Sequence, residues 1–194
     1  MISNKEDYDR FLKQDRIALN CKTKYPRPFK DEIWKFQILL RKVEYYLNCK
    51  KGIWNKIVEK YYKFRFHQLS VRLGLSIAPN VFEEGLSIAH YGTIVVHANA
   101  SVGKNCRIQE GVTIGATNNH HESAIIGDNC FIGSGAKIIG AITIANDVAI
   151  GAGAVVIGDI TEPGTTWAGV PARKISDNNS HSNLNSALFT NDVM

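Results

Sequence analysis

The sequence lacks any run of about 18 apolar residues, the length that a helix needs to cross a membrane. It also lacks the basic and then apolar start of a secretory signal, because "MISNKEDYDRFLKQ" carries acidic residues there. Its four cysteines show no CxxC pair and no clustering with histidines, which argues against a disulfide framework and a zinc site. We therefore expect a cytoplasmic chain with reduced thiols and no metal.

Acidic residues are scarce in the first part of the sequence. Residues 1–74 hold 18 Lys+Arg against 8 Asp+Glu, and residues 75–194 hold 5 against 10, so charges of +10 and −5 make up the net +5. The basic part suits an acidic partner or a peripheral approach to a membrane, although scattered lysines often only solvate helix faces. No nucleic-acid-binding motif accompanies the charge, so we expect no nucleic acid partner.

Residues 1–74 have the periodicity of helices. A weaker helix is predicted over Lys5–Leu19, and "CKTKYPRPFK" reads as an extended linker because of its two prolines. Asp31 is placed to cap a second helix, and Gly74 to end a third. The apolar stripes predicted for these two helices comprise Ile33, Phe36, Leu40, Val43 and Leu47, and then Ile53, Ile57, Tyr61, Phe64 and Leu69.

Beyond Gly74 a large aliphatic residue recurs at every sixth position. The series runs through Val96, Val102, Ile108 and Ile114, and resumes at Ile126, Ile132, Ile138, Ile144, Ile150 and Val156. Neither a helix nor an ordinary strand has this period. A β-sandwich with glycine-rich turns repeats at about 8 to 12 residues and without a fixed phase.

The period of six predicts a mainly β fold, a parallel β-helix in which three sixes form one triangular coil. Successive coils stack at about 4.8 Å. We expect about four to five coils in a domain of residues 75–175, preceded by a small α-helical region at 1–74. A polar tail at 176–194 is expected to be poorly ordered.

Histidines occur at two interruptions of the repeat. In "GLSIAHYGTIVV", the step of six back from Val96 falls on His90. In "GATNNHHESAIIG", a polar stretch with His120 and His121 replaces a strand and predicts a loop that leaves the prism. A histidine among aliphatic neighbours is usually a core residue, so a functional role for His90 depends on its surroundings.

The run from Leu75 to Ile175 resembles the hexapeptide-repeat acyltransferases, within them the serine acetyltransferase-like group. The matching segments are "AHYGTIVV", "VTIG", "IGSGAKIIG", "AIGAGAVV" and "AGVPARKI". The resemblance implies a left-handed parallel β-helix, a homotrimer with active sites between subunits, and acetyl-CoA as donor. His90 matches the catalytic histidine of the family. An imidazole suits a general base that takes the proton of an acceptor hydroxyl near neutral pH.

The same resemblance implies the other site residues. A histidine on the polar loop helps to hold the acceptor, so His121 or His120 takes that place unless both are solvated; His97 is a weaker candidate for the cleft. Small residues let the donor's pantetheine arm lie close, although the glycines also suit turns. The donor-binding candidates are Ser134, Gly135, Ala152 and Gly153, with Arg173 and Lys174 near the phosphates.

The acceptor is where the sequence departs from serine acetyltransferases. Two aspartates of those enzymes, one before the catalytic histidine and one about fifteen residues upstream, correspond here to Ala89 and Leu75. An amino-acid acceptor carries an ammonium group that needs an anion. We therefore expect an O-acetyltransferase acting on a sugar of a surface polysaccharide or its precursor. The alternatives are a serine O-acetyltransferase of cysteine biosynthesis and a non-catalytic scaffold.

Three glutamates are candidates for the missing carboxylate that orients His90. They are Glu83, Glu84 and Glu110, of which Glu110 is also a candidate acceptor-binding residue.

Overall fold

A computed structural model describes residues 1–117 and 122–190 of the chain. Three helices come first: α1 Lys5–Ala18, α2 Glu32–Cys49 and α3 Ile53–Leu73. The side chain of Asn4 caps α1 by accepting the N–H of Asp7 at 2.8 Å. Asp31 holds the N-cap position of α2, but its carboxylate binds Arg27 and makes no cap hydrogen bond. No helix in the described ranges combines the length and apolarity needed to span a bilayer.

The apolar stripe predicted for α2 is confirmed at its centre, and the stripe predicted for α3 is wrong as a packing face. Phe36, Leu40 and Val43 are fully buried. On α3 the predicted residues Ile53, Ile57, Tyr61 and Phe64 are each more than half exposed. The helix instead packs on α2 through its other face, where the ring of Phe66 stacks on Phe36 at 5.1 Å.

Short strands follow from Leu75. They are β1 Leu75–Ile77, β2 Ser87–Ile88, β3 Ile94–Val96, β4 Ser101–Val102, β5 Arg107–Ile108, β6 Thr113–Gly115, β7 Ile125–Ile126, β8 Phe131–Ile132, β9 Lys137–Ile139, β10 Thr143–Ile144, β11 Ala149–Ile150, β12 Val155–Val156, β13 Thr166–Ala168 and β14 Arg173–Ser176.

The strands form the three faces of a prism. The sheet orders are β1-β3-β6-β9-β12, β10-β7-β4, and β14-β13-β11-β8-β5-β2, and every pair is parallel except β13 with β14. The predicted left-handed parallel β-helix of about four to five coils is confirmed.

The residues of the six-residue repeat fill the prism interior. Ile108, Ile132 and Ile150 lie in register on adjacent strands and have no exposed surface. A second interior position two residues earlier takes Cys106 and Cys130, which are free thiols. Burial raises the pKa of Cys130 to about 12 and that of Cys106 well above its usual value, so neither is a nucleophile at neutral pH.

The polar tail is ordered through residue 190, contrary to the sequence expectation. It runs back along one corner of the prism, where Ser180 donates its N–H to the carbonyl of Asp147 at 3.1 Å. His181 Nε2 lies 2.6 Å from Asp147 Oδ1, and Asn185 donates to the carbonyl of Ile17 on α1 at 2.5 Å. These contacts supply the order that the polar composition of the tail does not predict.

Candidate active site

One corner of the prism carries a column of predicted site residues. Strands β2, β5, β8 and β11 are neighbours in register, and each is followed two residues later by one member of the column. Because each strand turns at the same corner, these members stack along the prism axis over roughly 14 Å, three steps of the strand spacing. From the first coil onward the column comprises His90, Glu110, Ser134 and Ala152.

A local insertion lies between β2 and β3, next to His90. Ile88 pairs with Ile108 and Val96 with Ile114, and eight positions separate Ile88 from Val96 where six separate Ile108 from Ile114. Ile88 fills the interior, and His90, two positions later, is exposed.

Gly92 lets this insertion fold onto the next coil. Its φ of +138° lies in a region that disfavours other residues, and a Cβ there would be 3.0 Å from the Cβ of Glu110. The segment after His90 thus lies directly against Glu110.

Glu110 is a partly enclosed anion beside His90. Ser134 donates its hydroxyl to Oε1 of Glu110 at 2.6 Å, whereas Oε2 is buried and has no hydrogen-bond partner in the described part of the chain. The bond from Ser134, the backbone N–H of Glu110 itself and the charge of His90 lower the pKa of this carboxyl, against the opposing effect of burial. Glu110 is therefore ionised at neutral pH, and its Oε1 is oriented by Ser134.

Glu83 and Glu84 do not lie at the corner of His90. They precede β2, whereas His90 follows it. Glu83 binds the N-terminal ammonium group, and Glu84 accepts from Arg10 Nε at 2.5 Å. Both carboxylates thus attach α1 and the chain start to the first coil.

The predicted donor-binding residues Gly135, Ala152 and Gly153 continue the column beyond Ser134. We call these three residues the small-residue row. Gly135 and Gly153 have φ of +72° and +67°, so the turns themselves require glycine. Their N–H groups donate to the carbonyls of Glu110 and Ser134, both at 2.8 Å, and are not available to a donor molecule. What remains is a surface without bulk, since Ala152 and Gly153 are exposed and a Cβ on Gly153 would meet nothing within 4 Å.

Arg173 and Lys174 differ in their availability. Both lie on β14, and Arg173 pairs with Ala168 one coil beyond the small-residue row. Lys174 Nζ binds the carboxylates of Glu162 at 2.5 Å and Asp177 at 2.6 Å, so its charge is already balanced. The exposed Arg173 donates only to the neighbouring carbonyl of Ala172, among the contacts of the described residues.

His97 does not join this corner, and His120 and His121 lie outside the described residues, as does the centre of the loop predicted to carry them. The chain takes 24 positions from Ile108 to Ile132, whereas the regular coil from Ile132 to Ile150 takes 18. His97 follows β3 whereas His90 precedes it, and its Nδ1 accepts the N–H of Asn99. Among the described residues, no group of three His, Cys, Asp or Glu side chains could hold a metal ion.

The sequence pattern alone indicates that Glu110 and Ser134 lie at the same corner of the prism. Both residues stand two positions after an interior isoleucine, as His90 stands two after Ile88. This shared offset, and not the spacing from Val96, puts them in one corner.

Comparisons with known proteins agree with the repeat and the fold. Residues 123–158 match the bacterial transferase hexapeptide family (six repeats). A serine acetyltransferase of Synechococcus elongatus is 35% identical over 112 residues, which are 56% of this chain and 46% of that protein. The chain thus spans about half the length of the curated relatives that it matches.

Solved structures match over most of the chain. The serine acetyltransferase of Brucella abortus strain S19 in complex with coenzyme A gives a TM-score of 0.68, with 26% identity over 90% of this chain and 70% of that one. The Neisseria gonorrhoeae enzyme in complex with serine gives 0.65, with 26% identity over 89% and 70%. In its repeat, its fold and these relatives, the chain resembles the hexapeptide-repeat acyltransferases of the serine acetyltransferase-like group.

Proposed function

We propose that the chain is an acetyl-CoA-dependent O-acetyltransferase with His90 as general base. The observation that carries this proposal is the corner column, in which an exposed imidazole stands at one end of a row without bulk. His90 takes the proton of the acceptor hydroxyl while the oxygen attacks the thioester carbonyl. The tetrahedral intermediate then expels the thiolate of coenzyme A, which receives the proton from His90.

Glu110 assists this proton transfer. The imidazole becomes positively charged as it takes the proton, and the adjacent carboxylate stabilises that charge. Glu110 is thus the carboxylate that replaces the absent aspartates at Ala89 and Leu75.

We place serine first among the acceptors. The matched relatives are named serine acetyltransferases, and one of them is solved with serine bound. A serine acceptor brings an ammonium group, and the ionised carboxylate of Glu110 supplies an anion at the corner of His90. This anion weakens the argument against an amino acid that rests on Ala89.

A sugar hydroxyl is the second candidate. Ala89 and Leu75 are apolar where serine acetyltransferases carry aspartates, and an acceptor without an ammonium group does not require them. A sugar of a surface polysaccharide or its precursor meets this condition.

Thiol release from acetyl-CoA, measured with serine and with a panel of sugars, tests activity and acceptor together. We expect His90→Ala to lower turnover by roughly 10²–10⁴-fold. His97→Ala, a matched histidine at the other end of β3, should leave turnover nearly unchanged. The proposed function would be refuted if neither serine nor any sugar stimulated thiol release. Release with sugars alone would exclude serine as the acceptor.

The donor would lie along the small-residue row with its phosphates near Arg173. The matched Brucella abortus enzyme is solved with coenzyme A, which supports a donor of this class. Arg173→Ala should raise the KM for acetyl-CoA with little change in kcat, because the guanidinium serves binding. Lys174→Ala is the matched control and should have little effect, since two carboxylates already hold that side chain.

We also propose a homotrimer with active sites between subunits. Apolar side chains that a single chain leaves exposed support self-association, among them Ile57 and Phe64 on α3 and Ile125 and Ile157 on the prism. Light scattering of the purified chain should give three times the mass of 21.5 kDa. A monomer that retains full activity would refute sites shared between subunits.

A further inference from the structure

The linker between α1 and α2 presents aromatic side chains to solvent. We call residues 21–30 the basic aromatic loop; within it Phe29 is 97% exposed and Tyr25 is 70% exposed. The loop is held in shape, because Arg27 makes a two-pronged ion pair with Asp31 and Lys35 donates to the carbonyl of Pro28 at 2.5 Å. Phe29 therefore points outward from a fixed turn.

The charges around these rings have one sign. Lys22, Lys24 and Lys30 are exposed, and none has a carboxylate partner among the ion pairs of residues 1–117 and 122–190. Within residues 21–30 no acidic residue occurs, and the next two residues, Asp31 and Glu32, are paired with Arg27 and Lys35.

A groove lies behind the loop and extends the same chemistry. Its volume is about 420 Å³, and its lining contains four cations and no acidic side chain. Aromatic rings complete the walls. The cations are Lys13, Arg16, Lys24 and Lys42, and the rings are those of Tyr8, Tyr25 and Trp34.

We propose that the basic aromatic loop and this groove form a docking site for an anionic membrane surface. Aromatic rings favour the boundary between lipid headgroups and acyl chains, and lysines around them contact lipid phosphates. Phe29 and Tyr25 enter that boundary, while Lys22, Lys24 and Lys30 lie at the headgroup level. The groove accommodates a headgroup phosphate. The site goes beyond the proposed acetyl transfer, and its test needs no catalytic readout.

The opposite end of the α2–α3 pair supplies an internal comparison. Trp54, at the start of α3, is 78% exposed and is flanked by Lys51 and Lys56. It lies at the far end of α2 from the loop, since α2 begins just after the loop and α3 begins just after α2 ends. The two ends of α2 cannot both lie on one flat membrane surface. A substitution at Trp54 therefore tests whether any exposed aromatic residue supports binding, or only those of the basic aromatic loop.

Vesicle cosedimentation of the purified full chain tests the proposal. The probes are vesicles of phosphatidylcholine alone and of phosphatidylcholine mixed with phosphatidylglycerol, each at low and high salt. We expect binding only to the anionic vesicles, weakened by salt. The triple substitution Lys22→Gln, Lys24→Gln and Lys30→Gln should weaken binding on the order of 100-fold. Phe29→Ser should weaken it roughly tenfold, and Trp54→Ser should leave it unchanged.

Three outcomes would overturn the site. They are no binding to anionic vesicles, equal binding to neutral ones, and loss of binding with Trp54→Ser while Phe29→Ser binds as the original chain. The substituted side chains are exposed, so circular dichroism should confirm that each variant remains folded. The result is independent of acetyl transfer, because a chain that binds vesicles without catalytic activity would refute only the proposed function.

Discussion

The side-chain amide of Gln37 donates a hydrogen bond from Nε2 to the carbonyl oxygen of Leu86 at 2.7 Å. Its Oε1 accepts the N–H of Ile88 at 3.3 Å. β2 is the outermost strand of its sheet, and Gln37 is fully buried on α2. One side chain thus takes the place of a neighbouring strand at the free edge of β2, two residues before His90.

Gln37→Leu should therefore disturb both the fold and the site. It leaves two buried backbone groups without partners, each at a cost of about 1–3 kcal/mol in the free energy of unfolding. Hydrogen exchange of the Ile88 amide should accelerate in the folded state, and kcat should fall more than KM changes. Gln68→Leu, an exposed glutamine on α3, is the control and should alter stability by less than about 0.5 kcal/mol. Unchanged exchange at Ile88 would contradict this role.

Gln37→Glu gives a pH-dependent version of the same test. A protonated carboxyl can still donate to Leu86, whereas an ionised one cannot and is also buried, which raises its pKa in the folded state. A raised folded-state pKa means that stability is present below the unfolded pKa and is lost as pH rises through the folded value. The difference in unfolding free energy from the original chain should thus grow with pH, and a constant difference would argue against the hydrogen bond.

Arg41 should be one of the most sensitive positions in the helical region. Burial acts to lower the pKa of this guanidinium, but the charges of Asp15 and Glu44 outweigh it and raise the pKa. Arg41→Met leaves both carboxylates buried without their partner and should destabilise the fold by about 3–5 kcal/mol in urea denaturation. Arg65→Met, at an exposed position on α3, should cost far less. Equal midpoints for the two variants would refute the assignment.

The six-residue period predicts the β-helix because every sixth side chain has one environment, the prism interior, whatever surrounds the chain. The stripe predicted for α3 is wrong because the face that a helix buries depends on where its neighbour lies. Ile57 and Phe64 have the right spacing for a buried face, but α2 contacts the face that carries Phe66. Composition likewise failed for the tail, because Asp147 offers Ser180 a partner that local sequence does not reveal. The motif makes His90 a candidate from the sequence alone, whereas its support from Gln37 depends on a contact between distant segments.

The interior cysteines should be unreactive in the folded chain. Burial raises the pKa of Cys130 to about 12, and Cys106 is shifted upward by the same cause. A disulfide reagent that reports thiolates near neutral pH should modify at most Cys21 and Cys49, which are partly exposed. All four thiols should react after denaturation. Rapid modification of Cys106 or Cys130 in the folded chain would contradict the packing of the prism.

Ser134→Ala should remove the hydrogen bond that lowers the pKa of Glu110 while leaving the carboxylate charge beside His90. The hydroxyl of Ser134 is the largest cause of the lowered pKa of Glu110, so its removal should move that pKa upward, as measured by carboxyl ¹³C NMR. Because the folded-state pKa is lowered, the ionised carboxyl stabilises the fold above its ordinary pKa, and this contribution is lost as pH falls through the folded value. In Ser134→Ala the folded-state pKa lies closer to the unfolded one, so the acid loss of stability should be smaller and should end at a higher pH.

Glu110→Gln completes this comparison, since it removes the charge but keeps a similar shape. If Glu110 stabilises the charged His90, kcat should fall on the order of tenfold to a hundredfold at neutral pH. Ser134→Ala should retain most of kcat there, because the carboxyl remains ionised without the hydroxyl. Glu83→Gln, which alters a carboxylate at the other end of β2, should retain kcat as well. Equal losses from Glu110→Gln and Glu83→Gln would assign Glu110 to the fold and leave His90 without its anion.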